Sequence, residues 1–414
     1  MDGMKKKAFL LLTMFLTAVF VLSGGIGGTY AEASETSAAE ISGTLVRESD
    51  GYYYYYIDGV KQTGWQTITQ DGVENTYYFF GTAGSQPAGS AAVGLQLIGS
   101  YRYYFSNEGV MQTGWKTISG KKYYFYKETE AQPVGTAAVG LRLIGKYRYY
   151  FSSEGVMQTG WQTINGKKYY FVKTKTKSTY GQALVGLKKI GNYRYYFSST
   201  GVMQTGKKKI SGSLYYFKSN GRARTGWFTV GSKLYYANSN GKLKKNTTYQ
   251  SVTFTKNGYA KSNTASKLKI KCMKIVSSIT TSSMTKAQKL KACWNYMTNR
   301  SRWSYRTIYL SSYTSGWQRT VAYNMLTSGS GNCYSFACAF AALAHEVGYT
   351  PYVVVGRVSG TRDGASDGLT RHCWVKINGC YYDPEAYFAG WWTGCYGVST
   401  YSIRHTIIGT YKFI

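Results

Sequence analysis

One cysteine, one histidine and one aspartate in the last third of the chain have the context of a nucleophile, its base and a group that orients the base. Cys333 precedes the apolar run 334–346, which predicts a buried helix, so its thiol should lie at a helix N-terminus. The helix dipole there favours a thiolate, and the Cys333 N–H could donate to an oxyanion. His372 opens a predicted strand and Asp383 ends the next one. The set predicts acyl transfer from an amide through a thioester.

The elements that must position these side chains can also be predicted. Lys286–Met297 has an apolar face of helical spacing, and 352–355 reads as a strand. Two further strands, 374–377 and 381–382, are joined at Asn378-Gly379. Residues 261–414 are therefore expected to form one domain of mixed helices and strands.

The residues around the three side chains resemble the transglutaminase-like family, which has a papain-like core. The match covers about residues 285–390 and consists of Gly331-Asn332-Cys333 with Ala337, Gly348 to Pro351 with Gly356, His372 to Val375, and Tyr382-Asp383-Pro384. The resemblance implies that Cys333 is the nucleophile, His372 the base and acid, and Asp383 the orienting group. It also implies an upstream aromatic oxyanion donor, for which Trp317 is the candidate. Cys373 departs from the small residue usual there.

Other readings of the cysteines and histidines remain open at this stage. Six cysteines are left once Cys333 is set aside, and export would permit disulfides in any of 15 pairings. No paired CxxC spacing occurs, so neither a metal nor another cofactor is expected. A wall hydrolase with Asp-Cys-Ser-Gly at its nucleophile is disfavoured, because this chain has Asn332-Cys333-Tyr334-Ser335. A silent domain that binds without catalysing is the alternative from another class.

Residues 44–260 contain an internal repeat. A tripeptide, most often Thr-Gly-Trp or Val-Gly-Leu, has its third residue at 65, 95, 115, 141, 161, 187, 207 and 227. A Tyr-rich run follows each one, and Asn165-Gly166 and Ser119-Gly120 are turn signals. Each unit of about 20 residues reads as a hairpin too small to be stable alone. The repeat therefore predicts an all-β solenoid of stacked hairpins.

The repeats resemble the cell-wall-binding, choline-binding and glucan-binding families, on motifs such as 109–115 and 118–125. Aromatic cages of that family bind cations by cation–π attraction, so the candidate ligand residues are Trp65, Trp115, Trp161 and Trp227. The tryptophan that commonly opens the aromatic run is replaced here by Arg102, Lys122, Arg148 or Lys168. The expected partner is a cell-wall polymer, with teichoic acid, a choline-bearing polymer and a glucan-type glycan all open.

The N-terminus and the charge indicate where the protein works. Three lysines, an apolar run and small residues predict a signal peptide over 1–31, followed by a linker over 32–43. A secreted protein held at the cell wall or cell surface is expected. The formal net charge of +32 favours an anionic wall polymer or membrane face. Export argues against nucleic acid, and the sequence predicts no oligomeric state.

These patterns together predict a multidomain chain. An all-β hairpin-repeat solenoid over 44–260 is followed by an α+β transglutaminase-like cysteine-enzyme domain over 261–414. The expected activity is transfer or hydrolysis of an amide in a protein or wall peptide, as a transglutaminase or a cysteine peptidase.

Overall fold

The computed structural model describes residues 43–310 and 312–414. The expected signal peptide and all but the last residue of the expected linker lie outside these ranges. The chain divides into two compact units, before and after the Gln112–Thr113 bond. No helix in the described residues is long and apolar enough to cross a membrane.

The first unit consists of antiparallel strands that pair with their neighbours in sequence. Tyr54, Tyr77, Phe79 and Phe105 are buried between the hairpins. At the ends of the strands over 73–79 and 101–105, buried aromatic residues alternate with a more exposed tyrosine, as a half-buried hairpin requires. The strands are β1 (Thr44–Arg47), β2 (Tyr53–Ile57), β3 (Val60–Lys61), β4 (Gly64–Gln70), β5 (Val73–Phe79), β6 (Gly94–Ile98) and β7 (Tyr101–Phe105).

The second unit begins with further hairpins of the same kind, so the predicted hairpin repeat is confirmed. Asn165 and Gly166 both have positive φ, 48° and 73°, as their two-residue turn requires. The strands are β8 (Gly114–Ile118), β9 (Lys121–Phe125), β10 (Gly140–Ile144), β11 (Tyr147–Phe151), β12 (Met157–Gln158), β13 (Gly160–Ile164), β14 (Lys167–Phe171), β15 (Gly186–Ile190), β16 (Tyr193–Phe197), β17 (Gly206–Ile210), β18 (Ser213–Phe217), β19 (Gly226–Val230), β20 (Lys233–Ala237), β21 (Thr247–Tyr249) and β22 (Val252–Phe254).

Most of these hairpins bury the phenylalanine that ends their second strand, whereas β20 ends in the buried Ala237. Phe125, Phe171 and Phe197 are fully buried, and each forms an isolated bridge with the segment that follows, for example Phe171 with Ala183. One hairpin has too little apolar surface to bury such a ring by itself. The neighbouring segments complete its enclosure.

The remaining elements form an α+β domain, as the sequence predicts. The predicted helices over 286–297 and 334–346 and the predicted strands over 352–355, 374–377 and 381–382 are all present. The elements are α1 (Thr264–Ile279), α2 (Lys286–Met297), β23 (Ser304–Tyr305), α3 (Trp317–Ser328), β24 (Ser330–Gly331), α4 (Cys333–Glu346), β25 (Tyr352–Ser359), β26 (Leu369–Ile377), β27 (Cys380–Tyr382), α5 (Pro384–Ala389), β28 (Tyr396–Val398) and β29 (His405–Lys412).

A buried helix and a five-stranded sheet form the centre of this domain. The strand order is β28-β27-β26-β25-β29, and all neighbours are antiparallel. Helix α4 is buried over residues 333–344 and its side chains join one apolar core with those of β25 and β26. The apolar run that predicted this helix therefore lies against the sheet that carries His372.

A glycine allows close packing of the sheet at the position opposite His372. Gly356 on β25 pairs with His372 on β26. A Cβ atom on Gly356 would lie 2.2 Å from the Thr406 carbonyl oxygen and 2.6 Å from the Trp374 ring. Because backbone cannot yield as a flexible side chain does, only glycine fits between these strands without displacing the strand that holds His372.

Candidate active site and repeat aromatic clusters

Cys333 is the first residue of α4, where the sequence places it, and is only 2% exposed. The residue before it, Asn332, has extended backbone and makes no side-chain cap for the helix. Its amide instead donates to the Ile308 carbonyl at 2.9 Å, which fixes the entry to the helix. The thiol thus lies at the positive end of a buried 14-residue helix.

His372 and Asp383 meet as the sequence predicts. His372 lies on β26, Asp383 is the N-cap of α5, and His372 Nε2 is 2.6 Å from Asp383 Oδ2. The imidazole also makes a hydrogen bond with Cys333. Since Nε2 faces Asp383, Nδ1 is the ring nitrogen left for the thiol. The structure therefore brings the three predicted side chains into one buried chain of hydrogen bonds.

Asp383 is held by two further groups. Tyr401 donates its hydroxyl to Asp383 Oδ2 at 2.6 Å, and the Ala386 N–H donates to Oδ1 at 3.0 Å. Tyr401 is 4% exposed, and burial raises the pKa of its hydroxyl. Sequence reasoning missed Tyr401, because it is 18 residues beyond Asp383 and carries no motif. Its ring is stacked on Trp374, which links it to the strand of His372.

The pKa of His372 reflects two opposing effects. Complete burial lowers it, but the charge of Asp383, the Asp383 hydrogen bond and the Cys333 hydrogen bond together raise it well above its ordinary value. A raised pKa favours the imidazolium at neutral pH. An imidazolium beside a thiol is the arrangement in which the proton has moved from sulfur to nitrogen.

A second buried carboxylate faces the triad. Glu385 Oε2 is 3.9 Å from His372 Nδ1, and Glu385 Oε1 has no hydrogen-bond partner among the described residues. Burial raises the pKa of Glu385. Sequence reasoning missed this residue too, although it follows Asp383-Pro384 directly. The exposed Trp391 ring lies edge-on to His372 at 5.3 Å and forms the rim beside the triad.

The same two carboxylates and His372 are also candidate ligands for a metal ion. Ligand atoms of His372, Asp383 and Glu385 lie within 4.8 Å of one another, a spacing that could hold an ion. Asp383 Oδ2, however, already accepts from both His372 and Tyr401. Those two hydrogen bonds fill the lone pairs of Oδ2, and the Ala386 N–H takes one of the two on Oδ1, so a metal would have to displace a donor to bind Asp383 through Oδ2.

Trp317, the candidate oxyanion donor, begins α3 and is buried. Its ring packs against Tyr313, Tyr334 and Tyr411, and its Nε1 has no hydrogen-bond partner among the described residues. It adjoins Tyr334, the neighbour of Cys333, and belongs to the same apolar core as Cys333. Its role as a donor stays a prediction.

All seven cysteines, which lie within the described residues, are free thiols. Burial raises the pKa of Cys293 and Cys395 to about 12. Burial likewise raises the pKa of Cys338 and of Cys373, the residue that departs from the family pattern. Burial raises the pKa of Cys272 as well. These five thiols stay protonated at neutral pH, whereas Cys333 has the His372 imidazole beside it.

Each of the four candidate tryptophans of the repeats lies in an aromatic cluster. The Trp161 ring centroid lies 5.1 Å from that of Tyr170 across its own hairpin, and 5.0 Å from that of Tyr195 and 6.0 Å from that of Phe197 in the next hairpin. Clusters of the same geometry form around Trp65 and Trp115. The Trp227 cluster differs, because its second tyrosine, Tyr249, lies 6.0 Å away with its ring tilted by only 33°.

The clusters differ in how open they are. Trp65 and Trp161 are 42% and 41% exposed. The Lys122 ammonium lies 4.7 Å from the Trp115 ring centroid, and the Lys269 ammonium lies 4.9 Å from that of Trp227. Because α1 supplies Lys269, a cation of the α+β domain already takes the place over Trp227 that a cationic ligand would need.

Family models match both parts of the chain. Residues 273–392 match the transglutaminase-like superfamily and include Cys333, His372 and Asp383. Choline-binding repeats match at 92–136, 138–175, 184–217 and 205–247. The chain therefore carries a transglutaminase-like domain after N-terminal choline-binding repeats. Together the two matches support a cell-surface protein with a transglutaminase-like domain.

Solved structures similar to this chain include choline-binding proteins of Streptococcus pneumoniae. Choline-binding protein F is 25% identical over 53% of this chain and 99% of its own, with a TM-score of 0.28. The choline-binding domain of CbpL is 26% identical over 49% of this chain and 98% of its own, with a TM-score of 0.35. No curated protein matches the sequence.

The triad geometry predicts selective labelling of one thiol. Because the adjacent His372 imidazole can take the thiol proton, Cys333 should react with iodoacetamide at about pH 6 faster than the partly exposed Cys380. Peptide mapping by mass spectrometry would give both rates. His372→Ala should remove the advantage of Cys333, since the base is then gone. Equal rates for the two cysteines in the unaltered protein would contradict an activated Cys333.

Proposed function

We propose that this chain is a secreted enzyme of the cell surface that transfers or hydrolyses acyl groups of carboxamides, and that its repeats attach it to a wall polymer. The observation that supports it most is the buried chain from Cys333 through His372 to Asp383 at the start of α4. The transglutaminase-like match over 273–392 supports the same chemistry.

The proposed reaction begins with the Cys333–His372 pair. The Cys333 thiolate attacks the carbonyl carbon of a carboxamide, and the C–S bond forms as the carbonyl oxygen becomes an oxyanion. The Cys333 N–H, at the N-terminus of α4, donates to that oxygen. The His372 imidazolium gives its proton to the departing nitrogen, the C–N bond breaks, and ammonia or an amine leaves a thioester on sulfur.

The second half restores the enzyme. Neutral His372 takes a proton from the attacking amine or water, which adds to the thioester carbonyl, and the sulfur leaves as thiolate. An amine yields a new amide, and water yields a carboxylic acid. Asp383 holds the imidazole by its Nε2 throughout, and Tyr401 and the Ala386 N–H fix Asp383. The same steps on a peptide bond give a cysteine peptidase, which is the second candidate.

Attachment is proposed through the open aromatic clusters of the repeats. Trp65 and Trp161, each with two tyrosines nearby, present apolar walls with electron-rich faces. A quaternary ammonium suits such walls by cation–π attraction. Choline borne on a wall polymer is the ligand of this class, and the choline-binding repeat match supports it.

Loss of the nucleophile should abolish turnover without loosening attachment. Cys333→Ala should lower the rate by about 10⁴-fold or more, the scale seen when the nucleophile of a catalytic triad is removed. The assay is mass spectrometry of glutamine-containing and wall peptides, with and without a primary amine. Binding to isolated cell walls should be unchanged, because the repeats are intact. Turnover that persists in Cys333→Ala would overturn the assignment, and no turnover by the unaltered protein on any of these peptides would favour a silent domain.

We expect the open clusters of Trp65 and Trp161 to bind choline, and the covered cluster of Trp227 not to bind it. Trp65→Ala and Trp161→Ala should each weaken retention on a choline-bearing resin, by up to about thirtyfold for a desolvated cation–π contact. Trp227→Ala is the matched control, since Lys269 already covers that ring. An equal loss in the control would contradict the distinction between clusters. Retention of all the proteins on dextran instead of choline would assign the repeats to a glucan.

A further inference from the structure

The charge of the chain is distributed very unevenly. Between Glu154 and Glu346 the sequence contains 31 Lys and Arg and no Asp or Glu. A surface salt-bridge network needs both signs, so this segment cannot neutralise itself locally. The choline-type clusters do not account for the excess, because a cationic ligand would be repelled by it.

Eight of these cations, together with Lys146 and Arg148 from just before the segment, line two hollows of the repeats in the second unit. A hollow of about 700 Å³ lies between the hairpins formed by β10 to β16. A second hollow, of about 570 Å³, adjoins it and shares Lys189. We call the two together the basic groove. Its cations are Lys146, Arg148, Lys173, Lys177, Lys188, Lys189, Arg194, Lys218, Arg222 and Arg224.

The basic groove has no internal counter-charge. No carboxylate lines either hollow, and no salt bridge among the described residues includes one of its cations. Lys189 on β15 is directly opposite Arg194 on β16, at the point where the two hollows meet. Like charges at opposed positions destabilise a hairpin. An anion bound between them would remove that cost, and a local conflict of this kind is typical of a binding site.

The arginines of the second hollow are already held in place. The Arg222 guanidinium stacks 3.9 Å from the Tyr193 ring centroid, and Arg194 Nη2 donates to Asn240 Oδ1 at 2.8 Å. Arg224 packs 4.9 Å from the Phe228 ring centroid, and its buried Nε has no hydrogen-bond partner among the described residues. Guanidinium groups fixed on aromatic rings lose little entropy on binding, and their planar donors match phosphate oxygens.

We propose that the basic groove binds a linear phosphodiester polymer of the teichoic-acid type through its phosphates. Two adjoining hollows suit an extended chain better than a single small anion, and regularly spaced phosphates suit the row of cations. This inference deepens the proposed attachment, because it adds a phosphate site to the aromatic clusters. The groove adjoins the aromatic clusters, since Tyr170 of the Trp161 cluster lines the first hollow and Trp227 lines the second. The lysines and arginines of the groove are distinct from the four candidate tryptophans, so each set can be changed without the other.

The test measures binding of the full chain to immobilised poly(glycerol phosphate) without choline, at salt concentrations from about 0.05 to 0.2 M. Lys173, Lys177, Lys188 and Lys189 are exposed, and the first variant changes all four to Gln. The matched control changes four exposed lysines outside the groove, Lys121, Lys256, Lys267 and Lys274, to Gln. Both variants lose the same net charge.

The groove variant should bind at least about tenfold more weakly at 0.1 M salt, and the slope of log affinity against log salt should fall by about 3, at roughly 0.7 per lost phosphate contact. The control variant should keep most of the affinity and most of the salt dependence. An equal loss of affinity in the control variant would overturn the proposed site, because binding would then depend on net charge and not on the groove. Equal or tighter groove-dependent binding of duplex DNA or of phosphatidylglycerol vesicles would overturn the wall-polymer assignment.

Choline-resin retention of the same variants separates this proposal from the proposed choline attachment. Retention unchanged in the groove variant shows intact repeats, so a loss of phosphate binding is then specific to the groove. If the groove variant with four changed lysines fails to bind choline, the variant with only Lys173→Gln and Lys177→Gln replaces it, because both of these residues lie in one loop. Unchanged phosphate binding in a variant that still binds choline would overturn the phosphate site alone.

Discussion

The hydrogen bond between His372 Nε2 and Asp383 Oδ2 is the constraint on which the rest of the α+β domain depends. Both groups are almost wholly buried, and two buried ionisable groups are costly unless each is fully paired. The domain meets that requirement with the Tyr401 hydroxyl, the Ala386 N–H and the Cys333 thiol. Helix α5 starts at Asp383 and the sheet register brings Gly356 beside His372, so several elements converge on a single contact.

The repeats depend on a different constraint, which is that no hairpin can bury its own phenylalanine. Each hairpin needs its neighbours, and the same stacking creates an aromatic cluster between successive hairpins. Stability and the proposed ligand recognition therefore come from one pattern of residues. The exposed strand positions are left free to carry charge, which explains how the segment after Glu154 carries so many cations without disturbing its hairpins.

Much of this could be predicted from local pattern. The repeat spacing predicted the hairpins, and the order of Cys333, His372 and Asp383, read with their flanking residues, predicted a contact that joins residues 11 apart across two strands. Tyr401 and Glu385 could not be predicted, because their roles arise from tertiary packing around Asp383 and no motif marks them. The contact between Lys269 and the Trp227 ring could not be predicted either, because Lys269 reaches that ring only when α1 packs against the last hairpins. The basic groove could not be predicted from the sequence either, because its cations come together only in the folded repeats.

The most direct test of the central claim is the mass of the intact protein during turnover of a glutamine-containing or wall peptide. The account predicts a covalent adduct equal to the peptide minus ammonia or an amine, mapped to Cys333 and discharged by an added primary amine or by water. The adduct should be absent from Cys333→Ala. No adduct on the unaltered protein with any such peptide, or one that persists in Cys333→Ala, would contradict it.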